Sequence, residues 1–417
     1  MVANFPIDRL VILPLEYQSQ NISFSDWISL YTLCLAPLIA HVIVGTPNVW
    51  YFDDKRPKWY DHVCHYNPTS ILWRYAAITD RRIRSKSWDR LEMAATNALF
   101  WTHEGWDGSE ALVNLSIPYC VRLPEHTRVA IFSTEMLRSV IVTLQGIQAM
   151  VILGRILGGP DIGDFVIWIA VDNIFFPIAL IGLLRLCCVP WLSDEASYSM
   201  SPVDHAAETD SLLDCPVSPI SDRFQTTSFW PSILFRVVFL LLTFGMWIIC
   251  PLFIFRAGVY TVTDLAIVIF FFSFLTVTWI TFLYYFAYGR TTTTVIPCIS
   301  SVWYKIYTAL VILSTLVLIT IASIETRRAP CGRYTSGQGS QGDLLACLTE
   351  NATTLLLGSS SPVFGVASTI PLIEGPYNAI NGLYNDTVLD PGEFAMYNFT
   401  GTCIGQFTLG SVYIGHT

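Results

Sequence analysis

The chain has 417 residues, of which 53% are hydrophobic and only 13% charged, with a formal net charge of -9. An ordinary soluble domain carries roughly one quarter charged residues, so this composition excludes one and points to a polytopic membrane protein. No basic stripe with interleaved aromatics appears, which excludes nucleic acid as a partner.

Residues 1–26 lack the basic start, continuous apolar core and small-residue cleavage site of a signal peptide, so the first span is expected to act as its own signal. A bilayer core about 30 Å thick asks for about 20 apolar residues per helix. Residues 27–52 contain no Lys, Arg, Asp or Glu and form the first such stretch. His41 within it, near Pro37 and Gly45, is expected to hydrogen-bond between helices.

Residues 53–138 hold most of the polar chemistry. His62, Cys64 and His65 in DHVCHY form the single cluster with metal-ligand side chains, but no fourth ligand lies near in sequence, and an aromatic-rich loop is the expectation. From Thr69 to Ile83, apolar residues at Ile71, Leu72, Tyr75, Ala76 and Ile78 follow helical spacing, and Arg81, Arg82, Arg84 and Lys86 make a basic end. That pattern predicts a helix lying on an anionic cytosolic membrane face. A second helix is expected over Leu91–Trp101, ended by a turn at Gly105 and Gly108. If this piece dips into the interface, Trp101 and Trp106 reach headgroup depth, and His103, Glu104, Asp107 and Glu110 stand at a cavity mouth.

The next spans are 139–158, containing only Arg155, and 165–184, which carries Asp172 near its middle. An ionisable group at mid-span is costly and marks either a function or a polar contact that helps helices associate. Asn173, Gln145 and Gln148 are its expected partners, and Trp168 and Phe176 share its face. Residues 191–230 are acidic and rich in Ser and Pro, which predicts a disordered cytosolic linker with Ser-Pro dipeptides at Ser201 and Ser218. Three further spans follow at 237–255, 265–288 and 306–324.

Lys55, Arg56, Lys58, Arg122 and Arg128, close to span ends, put the long loop in the cytosol. Acceptor sequons at Asn21, Asn351, Asn385 and Asn398 put both chain ends in the lumen or outside. The tail, 325–417, holds Cys331, Cys347 and Cys403, and its Gly, Ser, Thr and Pro content suggests short strands and turns. The expected fold class is therefore an all-α polytopic membrane protein. It has about six transmembrane helices, a cytosolic helical loop region and a small luminal C-terminal appendage. The endoplasmic reticulum, another endomembrane or the plasma membrane would house it.

The segments CLAPLIAHV, HYNPTSILWRY and FWTHEGWDGSE give this chain a character that resembles the fungal integral-membrane terpene cyclases of meroterpenoid pathways. The resemblance extends over residues 27–324, and no catalytic motif of those enzymes is matched residue by residue. It implies an isomerase acting by acid-initiated cyclisation on a lipophilic prenylated substrate drawn from the bilayer, with no metal or organic cofactor. The residues suit that chemistry, because a carboxylic acid starts it and electron-rich rings stabilise its cations. Asp172, Asp107 and Glu110 are the candidate acids; Trp101, Trp106, Trp168 and Asn173 are the candidate cavity residues. A non-catalytic multipass protein, whether small-molecule transporter, receptor or scaffold, is the alternative. A wall-sensing protein working through its glycosylated tail is another.

Overall fold

The structure is a computed structural model that describes residues 11–158, 169–200, 223–256, 259–329, 332–338 and 346, together with strands Thr353–Leu357, Val363–Ala367, Glu393–Met396 and Tyr413–His416. The chain is an all-α polytopic membrane protein. Its helices are α1 (Phe24–Gly45), α2 (Trp59–Val63), α3 (Pro68–Arg84), α4 (Arg90–Asn97), α5 (Leu112–Leu115), α6 (Thr134–Gly158), α7 (Phe176–Gly182), α8 (Trp230–Arg256), α9 (Val262–Ala287) and α10 (Val302–Glu325). Five of them, α1, α6, α8, α9 and α10, are long and apolar enough to cross a membrane.

The two ends of the bundle differ. At one, the tail end, Gln18 N donates to Ile324 O, Leu13 N donates to Tyr260 O, and Arg328 reaches Asp26 at 3.4 Å. At the other, the domain end, the segments between spans fold together around a three-stranded sheet of Val49–Tyr51, Leu99–Thr102 and Gly105–Asp107. Since α6 ends at the tail end and α8 starts at the domain end, the chain must cross back between them. The third predicted span, 165–184, does so, but not as a continuous helix.

Residues 159–168 lie outside the described part; beyond them come a 3-10 turn at Val171–Asn173, the seven-residue α7 and 3-10 turns at Leu183–Cys187 and Val189–Trp191. Val171 N donates to Thr326 Oγ1 at the tail end, and Arg185 Nη1 donates to Val44 O near the domain end. This sixth passage is buried by protein, with Ile174, Phe175, Ile178, Ile181 and Cys188 in the core. Irregular backbone at membrane depth is tolerated where neighbouring protein satisfies it. The apolar run in the sequence therefore marked a buried crossing, and its Pro177 and the turn at Asp172 broke the helix.

The first span also ends earlier than residue 52. Thr46 precedes Pro47 and is extended, as residues before proline prefer, and the apolar run continues as the strand Val49–Tyr51. The helix predicted over Leu91–Trp101 stops at Asn97, and a hairpin follows. Gly105 turns that hairpin at φ 109°, a conformation open chiefly to glycine.

α3 departs furthest from expectation. Fifteen of its seventeen residues are buried, so it closes the domain end of the bundle from within instead of lying on a surface. Asn67 caps it by accepting from Thr69 N, with Pro68 at its first position. Thr69 bonds Thr278 of α9 and Tyr307 of α10, and Ser70 bonds Tyr304. Its polar face stays dry because helix ends and acids receive it: Arg74 donates to Gly45 O and Asn97 O, and Arg81 donates to Gly108 O and Thr292 O. Arg84 pairs with Asp80 and Glu110. A one-sided apolar pattern cannot separate a wetted polar face from one met by carbonyls.

Both flanks of the predicted linker fold as well. Tyr198 is buried in a strand pair with Cys120, and Arg223 bridges Asp89 and Glu92. Residues 201–222, with Ser201 and Ser218, lie outside the described part.

Candidate functional site

The residues proposed from sequence fall at opposite ends of the bundle. At the domain end, Trp101 and Trp106 sit 4.8 Å apart between ring centroids, and Trp106 packs edge-on against His62 at 5.3 Å and His65 at 4.3 Å. The DHVCHY and FWTHEGWD stretches therefore do meet, through rings. Among the described residues no three His, Cys, Asp or Glu side chains converge on one point. Burial lowers the His65 imidazole to about 3, which keeps it neutral.

Neither of the two candidate acids of this stretch is left without a partner. Asp107 accepts from Ser109 N at 2.7 Å in a local turn, and Glu110 is paired with the buried Arg84. His103 and Glu104 occupy the exposed hairpin tip. Glu110 thereby serves the joint between α3 and its own loop, while Asp107 shapes that loop's turn.

Asp172 sits near the tail end, on the first turn of the broken crossing. Its Oδ2 accepts from Asn173 at 2.7 Å, whereas Oδ1 is buried without a hydrogen-bond partner. Of the partners expected for it, Asn173 is found; Asp172 bonds neither Gln145 nor Gln148, and Gln148 is exposed. Trp168 lies outside the described residues, as do Asn351, Asn385, Asn398, Cys331, Cys347 and Cys403. Asn21 ends a 3-10 turn before α1. His41 is fully buried edge-on to Tyr75, with neither ring nitrogen hydrogen-bonded, in place of the interhelical bond expected.

A cavity of about 70 Å³ lies between α6, α7, α8 and α9 toward the tail end. Phe176, Phe271 and Tyr260 supply rings to its wall, Cys250 a thiol, and Asp264 its single acidic group. The Asp264 carboxylate accepts from Ile169 N at 3.0 Å and from Thr261 Oγ1 at 2.9 Å, and Thr261 Oγ1 in turn caps Asp264 N. Glu325, wholly buried on α10, accepts from Val262 N and Thr263 N. Two carboxylates thus neutralise the positive end of α9, and one of them also borders the cavity. Of the cavity residues named here, sequence reasoning had placed only Phe176 beside an acid. Asp264 and Glu325 fall just outside the spans read at 265–288 and 306–324 and drew no attention there.

No family model, no curated protein and no solved structure matches this chain.

Proposed function

We propose that the protein is a membrane-embedded terpene cyclase that closes rings on a prenylated lipophilic substrate by acid initiation. The observation that carries this reading is the buried carboxyl of Asp264 at the border of an otherwise apolar, ring-lined cavity. Such a cavity receives the reacting end of a prenyl chain while the remainder stays in hydrocarbon. Proton transfer from Asp264 to a terminal alkene or epoxide leaves a cation, which the faces of Phe176, Phe271 and Tyr260 attract. Ring closure passes the charge along the chain, and loss of a proton to the carboxylate ends the reaction with no change of mass. Asp172, three residues beyond the cavity-lining Ile169, is the second candidate acid. Asp107 and Glu110 stand at the far end of the bundle and are outside this scheme.

Membranes carrying the full chain, given linear prenylated phenols, are expected to form a cyclised isomer of equal mass. Asp264→Asn keeps an oxygen for Ile169 N yet removes the acid, and should slow turnover by about a hundredfold or more. Asp107→Asn should leave it near wild type. Undiminished turnover in Asp264→Asn and in Asp172→Asn would overturn the assignment.

A second reading is favoured by one observation: Asp264 already accepts bonds from Ile169 and Thr261, and so suits a fixed anchor for a bound lipophile. Saturable binding of the precursor without isomer formation would select this non-catalytic role.

A further inference from the structure

A second cleft, of about 400 Å³, opens between α8 and α9 at the domain end. Ile233, Val237, Leu240 and Leu283 make its apolar walls, and Thr227, Ser228 and Arg236 its polar end. Ile233, Val237 and Leu283 are exposed on the outside of the bundle, where hydrocarbon would meet them. Trp230, Tyr284 and Tyr288 stand exposed beside it, at the level where aromatic rings prefer to lie among headgroups. The cleft is thus polar at headgroup depth and apolar below it.

Arg236 gives it charge. The side chain is 6% exposed, and its guanidinium donates to Phe286 O at 2.8 Å, to Ser232 O at 3.3 Å and to Thr227 O. Those bonds use three of the five N–H donors a guanidinium carries. Its closest carboxylate, Asp80, lies at 4.0 Å and already accepts from Arg84, Ser232 and Thr291. Backbone carbonyls orient this cation without neutralising it.

We propose that this cleft binds one anionic phospholipid from the leaflet at the domain end. Its phosphate lies against Arg236 and the hydroxyls of Thr227 and Ser228, and one acyl chain follows Val237, Leu240 and Leu283. A zwitterionic lipid fills the apolar part equally well but places an ammonium next to the guanidinium, so charge selects between them. The site is separate from the cavity at the tail end and does not depend on the reaction proposed for it.

The test uses the full chain purified in a neutral detergent, with phosphatidylglycerol or phosphatidylcholine of identical chains added. Retained lipid is counted by native mass spectrometry and thermal unfolding is followed in parallel. Phosphatidylglycerol should be retained at one per chain and raise Tm by several degrees, whereas phosphatidylcholine should do neither. The double substitution Thr227→Val with Ser228→Ala, which leaves the bonds of Arg236 to backbone oxygens in place, should weaken retention about tenfold while keeping the Tm of the lipid-free protein. Leu240→Trp, which fills the apolar end, should abolish it. Equal retention of the two lipids, or unchanged retention in the double variant, would show ordinary annular lipid and overturn the proposal.

Discussion

Glu92 exposes no surface to solvent, and its carboxyl accepts from Ser85 Oγ at 2.7 Å with Arg223 at 3.5 Å. Burial outweighs both contacts and pushes its pKa from the ordinary 4.5 to about 7. The folded chain therefore keeps this proton between about pH 4.5 and 7 while the unfolded chain has lost it. The contribution of Glu92 to stability is fully present below that window and falls as pH rises through it. Glu92→Gln, which cannot titrate, should flatten this part of the curve of Tm against pH; an unchanged slope would assign the dependence elsewhere. Single residues were the hardest level to read from sequence. Glu92 sits between Leu91 and Met93 in a short segment with no marked pattern and gave no sign of being enclosed, and Asp264 looks like a boundary mark because boundary acids are common. What distinguishes Asp264 is that residues of α6, α7 and α8 line a cavity with it, and no local pattern encodes that.

Among the elements, the apposition of α6 with the broken crossing depends on one small residue. A methyl group built on Gly146 would lie 2.4 Å from Leu183 Cδ2 and 3.0 Å from Ala179 O. Backbones approach this closely in membranes where a small residue lets them. Gly146→Leu is expected to cost about 2 kcal/mol through overpacking, measurable as a lower Tm in detergent. Gly154→Leu on the same helix, where nothing lies within 4 Å, serves as the control and should stay near wild type. The five long helices were legible as apolar runs, since length and hydropathy define them, although the end of α1 at Gly45 and the start of α8 at Trp230 fall well away from the predicted 52 and 237. The sixth passage was legible as an apolar run but not as turns, because the neighbours that satisfy its backbone come from distant parts of the chain. α3 was legible as a helix and misread in its setting, since Arg74, Arg81 and Arg84 look alike on paper whether they meet phosphate or carbonyl oxygen.

For the molecule as a whole, among the described residues, 11–22, 326–329 and 332–338 lie together at one end, joined by the bonds of Gln18 to Ile324 and of Gln338 to Pro14. Tags placed at the two termini should therefore be protected or digested together in sealed vesicles, and a tag inserted in the 123–133 stretch should behave oppositely. Termini that respond differently would break this arrangement. Basic residues and sequons both led the sequence reading to expect the two ends on one side, whereas the chemistry was not legible, because the cavity is assembled from four helices far apart in the chain. The buried position of α3 carries a consequence for biogenesis. Thr69, Asn67 and Asp80 find their partners at Thr278, Thr308 and Thr291, more than two hundred residues later. A ribosome at ordinary speed needs some ten seconds or more to supply that stretch. Throughout this interval a helix bearing five charged side chains, Arg74, Asp80, Arg81, Arg82 and Arg84, must wait outside an unfinished bundle, which makes the nascent chain a natural client for the chaperones that shelter half-built membrane proteins.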